Sequence, residues 1–199
     1  MYSIFIVIFL VAGSVWSGRY EFVFDNSDII DNCSEIPGNN GIHDLFNISE
    51  IKFDLMEGRL GVSGNTTSVW EGVEPTDRID GHGELYRFQR GAWQVTPVTL
   101  SVTDFCKTQF DPSTVWYQVW TKNIPPNERK CINVYGHIYH YEPAVVDTIF
   151  NYPINMEGRH KFVAEFMAYD QWNKRRPKTI CVQISGEITK VKYGKYLKK

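Results

Sequence analysis

The sequence predicts an all-β fold, an antiparallel sandwich or barrel of about eight strands with an apolar cavity and two disulfides. Three observations lead to this prediction. Apolar and polar residues alternate with a period of two in several segments that Gly, Asn and Pro turns separate. Aromatic residues make up 15% of the chain, and four cysteines are present. We therefore expect large rings held between sheets that disulfides tie together.

The strands are predicted in chain order from this alternation. The first is expected around Tyr20, Phe22 and Phe24, and a hairpin turn at residues 56–59. Residues 72–83 are polar and predict an exposed loop, with Gly81-His82-Gly83 as a turn.

Alternation resumes at Glu84 and continues to Cys106, so Pro97 should lie at a sheet edge or a bulge. A short helix is expected within residues 114–122. Two long strands close the domain, one containing Phe162, Ala164, Phe166 and Ala168 on one face, and one containing Ile180, Val182 and Ile184.

The first 17 residues predict a secretory signal peptide, which makes the protein secreted and extracellular. Their apolar run, Ile4 to Ala12, is shorter than the ~20 residues that a spanning helix needs. Val15 and Ser17 have the small-residue spacing of a cleavage site. A buried N-terminal strand is the alternative, since no Lys or Arg precedes the run. Residues 18–199 form a single domain by length.

Four cysteines in an exported chain favour two disulfides, and three pairings are open. The nearest pair is Cys106–Cys131, which leaves Cys33–Cys181. The sequons at Asn47 and Asn65 predict glycosylation.

Charge is unevenly distributed along the chain. Residues 19–84 hold fourteen acidic and four basic side chains, and residues 85–199 hold nine and seventeen. An uneven solvated surface is the simplest interpretation, and a basic face that meets an anionic membrane or a receptor is the alternative. The basic tail at residues 190–199 is interpreted as a solubilising end or, alternatively, as a contact for an acidic surface. A pI near 6.2 does not favour binding of nucleic acid.

Catalytic motifs are not found: the sequence has no nucleophile elbow, phosphate loop or zinc-protease helix motif. His137 and His140 would face opposite sides of a strand and so would not share a metal. Asp77 and Asp80 are better interpreted as solvated turn residues than as an acid–base pair. We predict no enzyme activity, catalytic residue, metal or cofactor.

The aromatic residues are instead candidates for the walls of a ligand pocket, although they could simply fill a core. Rings give rigid apolar walls at small entropic cost. An alkyl chain of about a dozen carbons offers on the order of 10 kcal/mol on burial at ~0.8 kcal/mol per CH2, comparable with the ~4–15 kcal/mol cost of association. The predicted wall residues are Trp93, Phe105, Trp116, Trp120 and Phe166.

Three short motifs carry a resemblance to a known family. They are Asp104-Phe105-Cys106, Trp116-Tyr117-x-x-Trp120-Thr121-Lys122 and Arg176-Pro177-x-x-Ile180-Cys181. With them the chain resembles the insect CheB-type chemosensory proteins, which are secreted in taste and pheromone sensilla. That family is similar in turn to the ganglioside-activator proteins, whose β-cup holds lipid tails. Ile132 replaces the proline usual in the activators, and cysteines are fewer, so differently shaped rim loops are expected.

The resemblance implies that the predicted antiparallel sandwich is a β-cup, and it supports the disulfide pairing chosen above. It implies a binding protein for a lipid-like ligand, such as a cuticular hydrocarbon or pheromone, in chemosensory detection. Two alternatives stay open: a lipid-extracting activator for a hydrolase partner, and a receptor-interaction module with a filled core.

Overall fold

A computed structural model describes residues 18–26, 28–33 and 40–192 of the chain. The predicted signal peptide and all but the first three residues of the basic tail lie outside the described residues. Strands dominate the fold, as predicted. They are β1 (Gly18–Phe24), β2 (Asp31–Asn32), β3 (Phe46–Met56), β4 (Arg59–Ser68), β5 (Arg78–Gln89), β6 (Ala92–Val102), β7 (Ile138–Asp147), β8 (Ile149–Tyr152), β9 (Gly158–Tyr169) and β10 (Ile180–Lys190).

The helices are short and lie between strands. They are α1 (Ile42–Leu45), α2 (Phe105–Thr108) and α3 (Val115–Val119), followed by single 3-10 turns at Thr121–Asn123 and Pro126–Glu128. The helix α3 and the first 3-10 turn confirm the short helix expected in residues 114–122. Thr114 begins α3, because its side chain accepts a hydrogen bond from the backbone N–H of Tyr117.

Two antiparallel sheets make up the fold. The large sheet has seven strands in the order β6-β5-β9-β10-β1-β8, with β2 paired to β10, and it is curled into a half-barrel. The small sheet has the order β3-β4-β7. A hairpin joins β3 to β4 with Met56 opposite Arg59, as the sequence predicted.

Prolines lie where the sheets are interrupted. Pro97 belongs to β6, an edge strand, and falls where the pairing with β5 shifts register between Glu84 and Tyr86. Pro143 lies at the matching interruption on β7, an edge of the small sheet. Since proline cannot donate a backbone hydrogen bond, edge positions and bulges are where a sheet accepts it.

The loop predicted at residues 72–83 is wrong in its second half, because β5 already begins at Arg78. Gly81, His82 and Gly83 form part of this strand and not a turn. The two glycines are needed because neighbouring side chains fill their space: a Cβ on Gly83 would lie 2.5 Å from the ring of Phe162. The sequence alone predicts a turn at such glycines, because the side chain that requires a glycine in the strand belongs to a partner strand.

Asp77 is not the solvated turn residue that the sequence suggested. Only 4% of it is exposed, and its carboxylate accepts two hydrogen bonds from Arg176, at 2.8 and 2.9 Å. This contact raises the pKa of Arg176. Asp80 pairs instead with Arg78 at 2.9 Å. Asp80 also accepts a hydrogen bond from the backbone N–H of Asp104 at 3.1 Å, so the two carboxylates hold the segments around Arg176 and Asp104 against the start of β5.

Both predicted disulfides are present. Cys33–Cys181 joins the segment after β2 to β10, and Cys106–Cys131 joins α2 to the turn before β7, with Cα–Cα distances of 5.6 and 5.2 Å. Neighbouring this second bridge, Tyr139 donates a hydrogen bond to the carbonyl oxygen of Cys131 at 2.8 Å.

Candidate functional site

The inner faces of the two sheets meet in a close-packed core at one end, here called the closed end. From the large sheet, Ile79, Ala168 and Ile180 are fully buried there. From the small sheet, Phe46 and Tyr139 pack against them in the same cluster. The helices α2 and α3 add further rings, so this end is filled by side chains.

Away from the closed end the same faces are only partly covered. Inner positions along β9 change from fully buried Ala168 to half-buried Phe162 and Ala164, and along β10 from fully buried Ile180 to half-buried Ile184. In a sandwich packed along its whole length these positions would be buried. The inner faces therefore carry apolar surface that no described residue fully covers.

We call this region the apolar gap. Its members share three features: they are apolar, they lie on an inner face by strand register, and they are half-buried without belonging to the closed-end cluster. From the large sheet they are Leu85, Leu100, Phe162, Ala164 and Ile184, and from the small sheet they are Phe53, Val62, Ala144 and Val146.

A second buried cluster bounds the large sheet beyond the gap. Tyr20, Met156 and Ile188 are its buried members, and half-buried Phe22 and Leu85 pack against them. The Tyr20 hydroxyl donates a hydrogen bond to the carbonyl oxygen of Ile154 at 3.0 Å. The partly exposed stretch of the large sheet thus lies between two packed ends.

Four of the five predicted wall residues are brought together, but at the closed end. Phe105 is 2% exposed, and its ring centroid lies 5.4 Å from that of Phe166, 5.5 Å from Trp116 and 6.0 Å from Trp120. Phe166 is half-buried and is the inner-face neighbour of Ala164 on β9, so it stands at the border with the gap. Phe105, Trp116 and Trp120 belong to the packed closed end.

The indole nitrogens of Trp116 and Trp120 are both hydrogen-bonded. Trp116 donates to the carbonyl oxygen of Thr108 at 2.9 Å, and Trp120 donates to the hydroxyl of Tyr141 at 3.0 Å. Burial raises the pKa of Tyr141, while its hydrogen bonds with Thr66 and Trp120 oppose the rise. Because a partner satisfies each indole N–H, the rings are fixed in place.

Trp93 lies on the other side of the large sheet. It pairs with Phe88, their ring centroids 5.2 Å apart, and Lys161 Nζ lies 4.8 Å from the centre of its ring. Lys161 alternates with Phe162 along β9 and so belongs to the outer face. Trp93 is therefore separated from the other four rings by the sheet itself.

The sequence analysis did not select most members of the gap. Phe162, Ala164 and Ile184 were recognised as one face of two strands, but nothing in the alternation shows which part of that face is left uncovered. On the small sheet, Phe53 could have been found by continuing the period-two pattern from Ile51.

Two surface grooves lie elsewhere. One, of ≈ 440 Å³, is lined by residues 70–75 with Val134 and Tyr135. The other, of ≈ 400 Å³, runs along residues 128–140. Both are open and partly polar, and neither includes a residue of the apolar gap, so we assign them no role in binding an apolar ligand.

His137 and His140 both contact Glu128. His140 Nδ1 lies 2.7 Å from the carboxylate of Glu128, and His137 Nε2 lies 2.7 Å from its carbonyl oxygen. The contact with His140 lowers the pKa of Glu128. Within the described residues no group of three potential ligands is placed to bind a metal ion.

Both glycosylation candidates lie on the outer face of the small sheet. Asn47 is exposed and faces Thr67 across the β3–β4 pair, and Asn65 faces Glu50 and His140. The inner face of β4 carries Thr66 instead. Glycans at these positions would point away from the apolar gap.

No family model matches the chain, and no curated protein matches it. Of the helices in the described ranges, none has both the length and the apolar character to cross a bilayer.

Proposed function

We propose that this protein is a secreted binding protein for a lipid-like small molecule, and that the ligand lies in the apolar gap. The context we propose is chemosensory detection of a cuticular hydrocarbon or pheromone, for which the family resemblance is the support. Binding is non-covalent: apolar side chains of both sheets replace water around a chain that water rejects.

The observation that carries the proposal is the incomplete burial of facing apolar surfaces. Phe162 and Ile184 on one sheet, and Val62 and Val146 on the other, are only half-buried, although fully buried cores lie nearby. Apolar side chains that stay in contact with water do not gain the favourable free energy of transfer that full burial would give them. A ligand that covers them recovers it without unfolding either sheet.

The energetics favour long ligands. At ~0.8 kcal/mol for each buried CH2, short chains do not overcome an association cost of ~4–15 kcal/mol, whereas chains of about a dozen carbons or more do. We therefore expect affinity to rise steeply with chain length.

Export is supported by the disulfides, because they form and persist in oxidising compartments. The positions of Asn47 and Asn65 on an outer face fit a glycoprotein whose binding site is on the other side of the small sheet.

The experiment is a ligand titration with a matched pair of variants on β9. Ala164→Trp fills the gap, whereas Val163→Trp places the same side chain on the outer face of the same strand. Displacement of a fluorescent N-phenylnaphthylamine probe by hexadecanol measures binding. We expect Ala164→Trp to abolish binding and Val163→Trp to retain it. Equal binding by both variants would place the ligand elsewhere, and the absence of binding by the wild-type protein would refute the proposal.

Native mass spectrometry of protein purified from its own tissue gives an independent test. A co-purifying lipid that Ala164→Trp does not retain supports the proposal and identifies the ligand class. A lipid bound equally by the variant contradicts the proposed site.

A second candidate is the receptor-interaction module, for which the outer face of β5 and β6 gives a specific observation. Phe88 and Val95 are 43% and 58% exposed there, next to Trp93. Phe88→Ser with Val95→Ser would weaken such an interaction and leave ligand binding unchanged. The apolar gap favours the first candidate, since a module with a filled core needs no gap.

A further inference from the structure

His160 is a buried polar residue on the inner face of the large sheet. It pairs with Gly186 on β10 and with Arg87 on β5, and it lies one inner position beyond Phe162 on β9. Only 1% of the residue is exposed. Its Nε2 atom has no hydrogen-bond partner among the described residues.

The other ring nitrogen determines what Nε2 can accept. Nδ1 lies 2.8 Å from the carbonyl oxygen of Gly158, which can only accept a hydrogen bond, so Nδ1 carries the proton. A neutral imidazole with its proton on Nδ1 offers a lone pair at Nε2. Burial, the largest cause, lowers the pKa of His160, and nearby Arg87 acts in the same direction. Nε2 is therefore an acceptor that lacks a donor.

The inner positions around His160 are apolar except for Arg87, whose guanidinium donates hydrogen bonds to the carbonyl oxygens of Asn155 and Glu157. Gly186 has no side chain, and the ring of Phe22 occupies the space that a Cβ would fill, at 2.7 Å. Leu85 and Phe162 lie at the adjoining inner positions. An unpaired acceptor in such a place carries a free-energy cost that a ligand donor can remove.

Distance along the strand relates His160 to the gap. His160 lies six residues before Phe166, which stands at the closed end, and six residues span about 20 Å along a β-strand. This is the scale of a long alkyl chain. A chain lying on the inner face from Phe166 past Phe162 would bring its end to His160.

We propose that the ligand is a long-chain alcohol, and that its hydroxyl group donates a hydrogen bond to Nε2 of His160. This inference rests on the proposed function and names the ligand class for the apolar gap. Alkanes, ethers and esters have no proton to donate, so the site discriminates against them.

The test compares two ligands that differ only in the donor. Hexadecanol and methyl hexadecyl ether are titrated into wild-type protein and into His160→Phe, with displacement of N-phenylnaphthylamine as the measurement. We expect the wild-type protein to prefer the alcohol by about five- to tenfold, and His160→Phe to bind the two ligands equally. His140→Phe, on the outer face of the small sheet, is the control and should keep the preference.

A second measurement uses only the wild-type protein, so it does not require that His160→Phe folds. The Nε2 nitrogen resonance of His160 in the wild-type protein should shift when hexadecanol is added and stay unchanged with the ether. Equal affinities in the wild-type protein, a preference that survives in His160→Phe, or an unshifted resonance would overturn the inference and leave the proposed function standing. If neither ligand displaces the probe, both proposals fail.

Discussion

Gly83 and Phe162 occupy one shared space on the inner face of the large sheet. They belong to neighbouring strands, β5 and β9, and the ring of Phe162 lies where a side chain on residue 83 would begin, 2.5 Å from the position of its Cβ. Phe162 is half-buried and faces the apolar gap. The absence of a side chain at residue 83 therefore determines how far the ring extends into the gap.

Gly83→Ala tests this relationship. The added methyl group should push the ring of Phe162 away from β5 and toward the gap, where the ring is only half-buried, so stability should change little. Ligand affinity should fall by about tenfold, or ~1.4 kcal/mol, the scale of overpacking in a fitted site. Probe displacement and urea unfolding measure the two effects.

Gly61→Ala is the control for this prediction. Gly61 is also a strand glycine with a close neighbour, the Cβ of Asp54 at 3.1 Å, but the pair lies on the outer face of the small sheet. Its affinity for ligand should equal that of the wild-type protein. If Gly61→Ala lost as much ligand affinity as Gly83→Ala, the loss would not come from a change in the apolar gap, and the prediction would be wrong.

Trp93→Ala separates a structural role from a binding role. The variant loses the contact of the indole with Lys161 and with Phe88, and we expect the free energy of unfolding to fall by about 1–3 kcal/mol. Ligand affinity should not change, because the ring lies outside the gap. Phe166→Ala, on the inner face, should weaken binding. A loss of affinity in Trp93→Ala alone would contradict the placement of the site.

The Cys106–Cys131 disulfide should stabilise the closed end. Replacing both cysteines with alanine opens a loop with a sequence separation of 25 residues. The expected cost is about 3–4 kcal/mol, measured by urea unfolding. Tryptophan emission should shift to longer wavelength in the native variant, because Trp116 of α3 donates a hydrogen bond to Thr108 of α2, the helix that contains Cys106. An unchanged midpoint and spectrum would show that packing alone holds the segment.

Stability should decrease as pH falls below about 6.5, and His160 is the reason. Its pKa is lowered from 6.5 in the folded protein, so below that pH the unfolded chain binds a proton that the folded protein does not. The free energy of unfolding then falls with decreasing pH, until the folded protein also binds the proton. His160→Phe should remove this dependence between pH 7 and 5. Glu84 and Glu128, whose pKa values are lowered from 4.5, act at lower pH. If the free energy of unfolding of His160→Phe still fell between pH 7 and 5, another group would be the cause of the pH dependence.

The sequence predicted the fold well where strands alternate regularly. Phe162 to Ala168 and Ile180 to Ile184 became β9 and β10 with the expected inner faces. It failed at Gly81 and Gly83, because the need for these glycines comes from Phe162 and Val102 on other strands. Local turn preferences contain no information about such neighbours.

The face of Trp93 was misjudged for a related reason. Trp93 and Val95 occupy odd positions in β6, whereas Val98, Leu100 and Val102 occupy even ones, and the irregularity around Pro97 separates the two sets. The sequence shows that the apolar residues change from odd to even positions at Pro97. This change places Trp93 on the outer face because the pairing of β6 with β5 shifts register at Pro97. His160 carried no signal, since its isolation depends on the tertiary structure around it.

The central claim is that the inner faces of both sheets bind one apolar ligand between them. Intermolecular nuclear Overhauser effects between hexadecanol methylenes and methyl-labelled protein test it most directly. We predict contacts to Val62 and Val146 from the small sheet together with Ile184 from the large sheet. Contacts restricted to outer-face methyls, such as those of Val95 and Val145, would contradict the claim.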